Sequence, residues 1–475
     1  MLNIDLEHKR ILKAIVALAL FSFIFLGTEY MFDNMMAYVT DAEGVVTAQS
    51  YILGASVIGF LIFPVLYRII KQNIQNIMVF SGAIFGIICI FVIWQHASYA
   101  LTLTMGCILF VLFGIAGSAV HYLTIRVFEK NKKYLARYVG ITYAVGVFFQ
   151  FLNNNLVPND VVQSIVLSVA LGIFVILLIR ISDEAGWDKG EHSETEEIMV
   201  AKTEIKNPVI AGGALLVCVI LMTCIFSTLD VSVTLVHAAG SVDIGQWPRL
   251  LLAVSGICAG FLYDIKERKY MGMLMYCVTL LSTICVVFIE LGGSFISGLI
   301  IFYLSAGFFV VFFTAAFMDL AYYMKLPQLW AGLGRATNNL CAVLTGTISV
   351  TLLSAGGMTI IITALILFAF ISVAVFVYSA SIQLRPEEAD NKEHKVEISD
   401  EERFITFSKA FSLTDREQEV LQILLISDEH VQDIAVKLAI SRAALYRHVA
   451  SLNEKTDTKS RIGLLQFYYT WKRED

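Results

Sequence analysis

Residues 411–471 read FSLTDREQEVLQILLISDEHVQDIAVKLAISRAALYRHVASLNEKTDTKSRIGLLQFYYTW. Their spacing sets four short helices. Thr414, followed three residues on by Glu417, is a capping box that opens the first. Val420, Leu421, Leu424 and Leu425 then recur at helical period. Ser427-Asp428 breaks that helix, and Val431, Ile434, Ala435 and Leu438 mark a second, shorter one. Ser441 caps a third, on which Leu445, Val449 and Leu452 face inward. Arg442, Ala443, Tyr446, Arg447 and Ala450 then face outward. Ser460 caps a fourth, with Leu464, Leu465, Tyr468 and Trp471 along one side.

Two short helices joined by a tight turn, the second with a basic outer face, describe a helix-turn-helix. The stretch resembles the LuxR/NarL-type DNA-binding domain. The shared residues are Leu413-Thr414-x-Arg416-Glu417-x-Glu419-Val420-Leu421, Ile434-Ala435-x-x-Leu438-x-Ile440-Ser441, His448, Lys455 and Ser460-Arg461-x-x-Leu464. Asp428 departs from the family's usual Gly, and Ala444-Leu445-Tyr446 from its usual Thr-Val-Lys. The charge is sorted: Arg442–Arg461 holds Arg442, Arg447, Lys455, Lys459 and Arg461 against Glu454 and Asp457. Such a patch supplies the salt-sensitive part of binding to phosphates. The resemblance implies promoter contact through Arg442, Ala443, Tyr446, Arg447, Lys455, Lys459 and Arg461. It also implies a homodimer on two-fold DNA sites, paired through Leu464, Leu465, Tyr468 and Trp471. The competing reading is a helical module that docks a protein.

The rest of the chain is of another kind. Of 475 residues, 57% are hydrophobic and 16% charged, where ordinary soluble domains are about a quarter charged. Twelve stretches suit membrane spans of about 20 residues: 11–34, 48–69, 76–95, 101–126, 137–156, 161–180, 208–236, 247–264, 270–290, 295–323, 330–353 and 357–381. Ile11–Phe25 reads as a retained first span, since no convincing cleavage site follows. All eight cysteines lie in apolar runs without metal-ligand spacing, as small core residues.

With the N-terminus placed in the cytoplasm, 18 Lys and Arg fall in inside segments and one, Arg249, in an outside loop. That bias puts both termini in the cytoplasm of a multi-pass protein of the inner membrane. Six spans, a polar loop at 181–207 and six more suggest two halves. Each half places a carboxylate late in its first span: Phe25-Leu-Gly-Thr-Glu29 and Phe226-Ser-Thr-Leu-Asp230. After span 8, Gly260-Phe-Leu-Tyr-Asp264-Ile-Lys-Glu-Arg268-Lys269 resembles the loop motif of the major facilitator superfamily. The equivalent loop after span 2 lacks the Asp. The expected chain is all-α. It is a polytopic bundle of twelve transmembrane helices (six plus six, major-facilitator-like) with a C-terminal four-helix LuxR-type helix-turn-helix domain. Its parts are 1–381 (halves 11–180 and 208–381), a polar linker at 382–407 and a DNA-binding domain at 408–475.

Ionisable and polar residues inside spans are candidates for function. Glu29 lies about 27 Å into its span at 1.5 Å per residue, towards the outer face, and Asp230 matches it. With Tyr143, Phe148, Gln150, Asn153, Asn338 and Asn339 they could line a ligand pocket. The alternative for Glu29 and Asp33 is a helix end in water. For the asparagines it is hydrogen bonding between helices. Asp319 and Arg335, on either side of a short turn, read as a structural ion pair, and His121 as a packing residue.

No phosphate loop, metal cluster or kinase signature is present, so neither an enzyme nor a cofactor is expected. The expected function is that of a one-component membrane regulator. Its bundle senses a small molecule and its tail binds promoter DNA. The ligand is left open between aromatic and organic-acid molecules. The alternative is a transporter with a regulatory or protein-docking tail. Reporter fusions after residues 200 and 475 test the topology. Both should report the cytoplasm, and an extracytoplasmic signal from either would sink this reading.

Overall fold

The computed structural model describes residues 2–70, 72–157, 159–184, 208–238, 247–266, 268–354, 356–381, 400–426 and 431–471. The loop at 185–207, the linker at 382–399 and the Ser427-Asp428 break lie outside the described residues. Every regular element among the described residues is a helix. The chain divides into two compact units, Met1–Leu384 and Arg385–Asp475.

The first unit holds α1 (Leu2–Met36), α2 (Ala42–Ile69), α3 (Gln72–Trp94), α4 (Tyr99–Val127), α5 (Leu135–Leu156) and α6 (Asp160–Glu184). It continues with α7 (Pro208–Ala238), α8 (Leu250–Tyr263), α9 (Met271–Glu290), α10 (Phe295–Ala321), α11 (Pro327–Ser354) and α12 (Gly357–Ser381). A helix thus stands at each of the twelve expected positions. Among the described residues, ten helices are long and apolar enough to cross a membrane. Trp247–Tyr263 is shorter, and α11 is interrupted by Arg335, Asn338 and Asn339. In lipid only such closed hydrogen-bonded helices satisfy the backbone.

The halves meet where α5 packs on α8 and α2 on α11. The α5–α8 crossing depends on glycine. A Cβ on Gly140 would sit 2.4 Å from the Gly256 carbonyl oxygen, and one on Gly260 would sit 2.7 Å from that of Ala136. Gly256-x-x-x-Gly260 therefore lets two backbones touch. Cysteines are less uniformly interior than expected. Cys258 and Cys277 are exposed, because they fall on the outward faces of α8 and α9.

The second unit holds α13 (Asp400–Ala410), α14 (Asp415–Ile426), α15 (Val431–Lys437), α16 (Arg442–Lys455) and α17 (Arg461–Thr470). The capping box forms: Thr414 N donates to Glu417 Oε2 at 2.8 Å, and Glu417 N to Thr414 Oγ1 at 3.4 Å. Ser441 accepts from Ala444 N and Ser460 from Gly463 N, as expected of caps. Val420, Leu421, Ile434, Leu445, Leu452 and Leu464 form the core.

One boundary differs. The linker was expected to run to Phe407, yet α13 begins at Asp400 and Phe407 is fully buried. Its ring lies 4.7 Å from Phe411, 5.0 Å from Tyr468 and 5.3 Å from Trp471. Polar composition hid the helix, because α13 contributes few apolar side chains and they depend on α17 for cover. Phe407→Ala should destabilise fragment 400–475 by about 3–5 kcal/mol, read by urea unfolding. A loss within error would show that α13 is an appendage.

Candidate functional site

Between the halves of the first unit lies a cavity of about 180 Å³. α1 supplies Glu29 and Asp33, one turn apart on one face, and α2 supplies Gln49. Gln49 Nε2 donates to Glu29 Oε1 and to Asp33 Oδ2, both at 3.1 Å. α7 adds Asp230, whose surface opens into the cavity. Tyr143 of α5 and Asn338 and Asn339 of α11 complete the expected lining. Asn339 Nδ2 also donates to Ser56 Oγ at 2.8 Å, so it ties α11 to α2 as well. His121 packs, as expected, with Nδ1 2.6 Å from the Gly117 carbonyl oxygen.

Three of the expected lining residues stand elsewhere. Phe148 is 45% exposed on the outside of the bundle. It is five residues past Tyr143, about 140° round the helix. Gln150 is fully buried beside the cavity, donating to the Leu26 carbonyl at 3.0 Å and accepting from Arg249 Nε at 3.3 Å. Asn153 is buried off the cavity, and its Oδ1 has no hydrogen-bond partner among the described residues.

Two cations were misread. Arg249, counted only as the one outside-loop cation, lines the cavity and lies over the Tyr30 ring at 5.6 Å. A lone Arg beside Trp247-Pro248 at the start of a span was the available signal. Arg335 does not pair with Asp319. It sits about two turns into α11 and turns to the cavity, 5.6 Å from the Phe25 ring and 5.2 Å from that of Phe313. Asp319 is taken by Arg268, which donates from Nη2 at 2.9 Å and from Nε at 3.1 Å. Arg268 Nη1 also reaches Asp264 at 3.2 Å and the Lys132 carbonyl at 2.8 Å. Asp264 in turn accepts from the backbone N–H groups of Ala136 and Arg137 at the start of α5. The loop motif therefore joins the two halves through one guanidinium.

In the second unit α16 presents Arg442, Ala443, Tyr446 and Arg447 on its exposed face, and Lys459 is exposed beyond it. Lys455 is committed elsewhere. Its Nζ donates to Glu417 Oε2 at 2.7 Å and to the Ser412 carbonyl at 2.9 Å. It ties α16 to α14, which removes it from the free basic set. The expected pairing face of α17 is also rotated. Leu464 and Tyr468 are buried in the domain core, and Trp471 packs on Phe407. Ile462 and Tyr469, 69% and 57% exposed, form the open side.

Residues 411–468 match the family model described as bacterial regulatory proteins, luxR family. The fold is similar to that of the human organic anion transporter MFSD10 (TETRAN). The TM-score is 0.54 at 12% identity, covering 78% of this chain and 99% of that one. No curated protein sequence matches the chain. The protein is thus a multi-pass membrane domain of major-facilitator fold fused to a LuxR-type helix-turn-helix domain. Together these parts define a membrane-bound regulator.

Glu417 anchors the helix-turn-helix and gives it a pH signature. Burial pushes its pKa up. Hydrogen bonds from Lys455, the Thr414 backbone, Ser451 and the Thr414 hydroxyl outweigh this and lower it from 4.5 to about 2. A depressed carboxylate contributes stability above its unfolded pKa and loses it as pH falls to the folded one. The melting temperature of fragment 400–475 should therefore be flat near neutrality and fall between pH 4.5 and about 2. Glu417→Gln should flatten that fall, and an unchanged profile would remove Glu417 as the cause.

Proposed function

We propose that the protein is a one-component transcriptional regulator of the inner membrane. In this reading the bundle binds a small molecule in the cavity between its halves, and α16 enters the major groove of promoter DNA. The observation that carries it is the exposed Arg442–Arg447 face of a luxR-family domain on the same chain as that cavity. Helix-turn-helix domains read bases from the start of this helix, so Arg442, Ala443, Tyr446 and Arg447 are the proposed base-facing set. Lys459 and Arg461 are the proposed phosphate-facing set. Both termini are placed in the cytoplasm on the strength of the Lys and Arg bias. Pairing on two-fold DNA is assigned to Ile462 and Tyr469 of α17, the apolar residues that the core leaves open.

A second reading has a specific observation behind it. The membrane fold spans nearly the whole of an organic anion transporter, and a bundle of that kind could itself transport. Saturable uptake into vesicles that depends on Asp230 would favour it.

Selection of bound sequences from random duplex DNA by the full-length protein tests the regulator. A two-fold motif should be enriched. Arg447→Ala should bind it about tenfold or more weakly with unchanged melting temperature. Enrichment of no sequence would point to a protein-docking tail.

A further inference from the structure

The cavity is unusual in the kind of charge it leaves without a partner. Arg335 makes no hydrogen bond or close ion pair among the described residues; it lies over the rings of Phe25 and Phe313 and has Glu29 within electrostatic reach across the cavity. A guanidinium with no hydrogen-bonded anion keeps its fork open to the cavity, and that fork matches a carboxylate in two-point geometry. Arg249 is differently placed, since Gln150 and Tyr30 already engage it and it lies within electrostatic reach of Glu29, Asp33 and Asp230.

Unpartnered acid stands close by. Asp33 Oδ1 is buried with no hydrogen-bond partner among the described residues. Asp230 opens to the cavity and makes no hydrogen bond or ion pair among the described residues. One Gln49 amide serves both Glu29 and Asp33, which leaves most of their acceptor capacity unused. Phe25, on which Arg335 lies, is one helical turn from Glu29, about 6 Å along α1. The open anion-binding and cation-binding groups therefore fall within the length of one small molecule.

The wall between them is flat and aromatic. Phe226 and Phe309 stack with centroids 4.5 Å apart and planes 3° from parallel, and both line the cavity. A planar apolar body can lie against such a surface.

We propose that the cavity takes an amino-acid-type zwitterion with an aromatic body. Its carboxylate lies on Arg335 and its ammonium faces Asp230 and Glu29. An organic anion would satisfy Arg335 and leave Glu29, Asp33 and Asp230 with only Arg249 opposite them in the lining. An amine would do the reverse. The proposal rests on the reading of this cavity as the sensing site, and names the ligand class for it.

Three probes share a phenyl body and differ only in charge: L-phenylalanine, phenylethylamine and 3-phenylpropanoate. Binding of each to the purified full-length protein is measured by equilibrium titration into the millimolar range. L-Phenylalanine should bind at least about tenfold more tightly than either single-charge probe. Arg335→Gln should remove its advantage over phenylethylamine, and Asp230→Asn its advantage over 3-phenylpropanoate. The melting temperature of unliganded Arg335→Gln should not fall, because an unpaired charge is removed. Equal or tighter binding of 3-phenylpropanoate would make the site an organic-acid site, and of phenylethylamine an amine site. Either result overturns the zwitterion and keeps small-molecule binding. Binding of none overturns the proposal. DNA selection with the same preparation then decides separately whether the regulator reading stands.

Discussion

Arg268 holds three segments of the membrane unit at once. Its fork closes on Asp319 of α10, its remaining donors reach Asp264 and the Lys132 carbonyl, and Asp264 caps the start of α5. Ion networks of this kind add little net stability over apolar packing, but removing one member leaves charge stranded, at a cost of about 3–5 kcal/mol. What the network supplies is a single arrangement of the halves at this end of the bundle. The same helix leads from there to the cavity. α8 passes from Asp264 through Gly260 and Gly256, where it touches α5, to Leu252 on the cavity wall, with Arg249 just before it. A change of position at Arg249 is thus carried by one short helix to the joint between the halves. That is a contiguous physical connection between the cavity and the joint.

The cavity's economy fits that route. Polar groups in a protein interior are normally matched, and most of this bundle obeys: Ser and Thr side chains donate to carbonyls one turn back along their helices. Among the described residues unmatched atoms also stand at Thr28, Thr102, Asn153 and Ser305, but Arg335, Asp33 and Asp230 are the incompletely partnered ionisable groups that line the cavity together. Leaving charge unmatched raises the free energy of the empty state, so a molecule that matches it gains affinity and can favour one arrangement of the halves over the other. The shift it produces is limited by its difference in affinity between the two.

The fold was largely written in periodicity, and the site only partly. Capping residues Thr414, Ser441 and Ser460 work through contacts within four residues, so their roles can be read locally. Glu29 and Asp230 stood out because ionised side chains are rare in spans. Arg268 and Arg335 could not be sorted that way. Each has a plausible acid nearby in sequence, and the choice depends on which helix face turns inward and how far a loop cation reaches. Phe148 and Gln150 differ by two positions on α5, and facing decides which of them meets the interior. α13 was legible only as a partly helical end of the linker, for the opposite reason. Its composition resembles a linker, and Phe407 becomes a core residue only when α17 folds over it.

In the proposed regulator, the open face of α17 would limit how the output can be controlled. It presents Ile462 and Tyr469 on a helix of 10 residues. Stable pairs bury about 1,200–2,000 Å² in total, far more than one such face can contribute. Two tails joined only there would form a weak pair, and a second contact has to supply the rest. DNA does so by holding both recognition helices on one site. Membrane domains do so by raising the local concentration of tails, as any linkage of binding modules does. A weak face is therefore well suited to control. In the proposed regulator, a pair that is marginal alone would let a modest change in how the membrane domains associate decide whether the tails meet on DNA. A strong tail dimer would bind its promoter whether or not the bundle had bound anything.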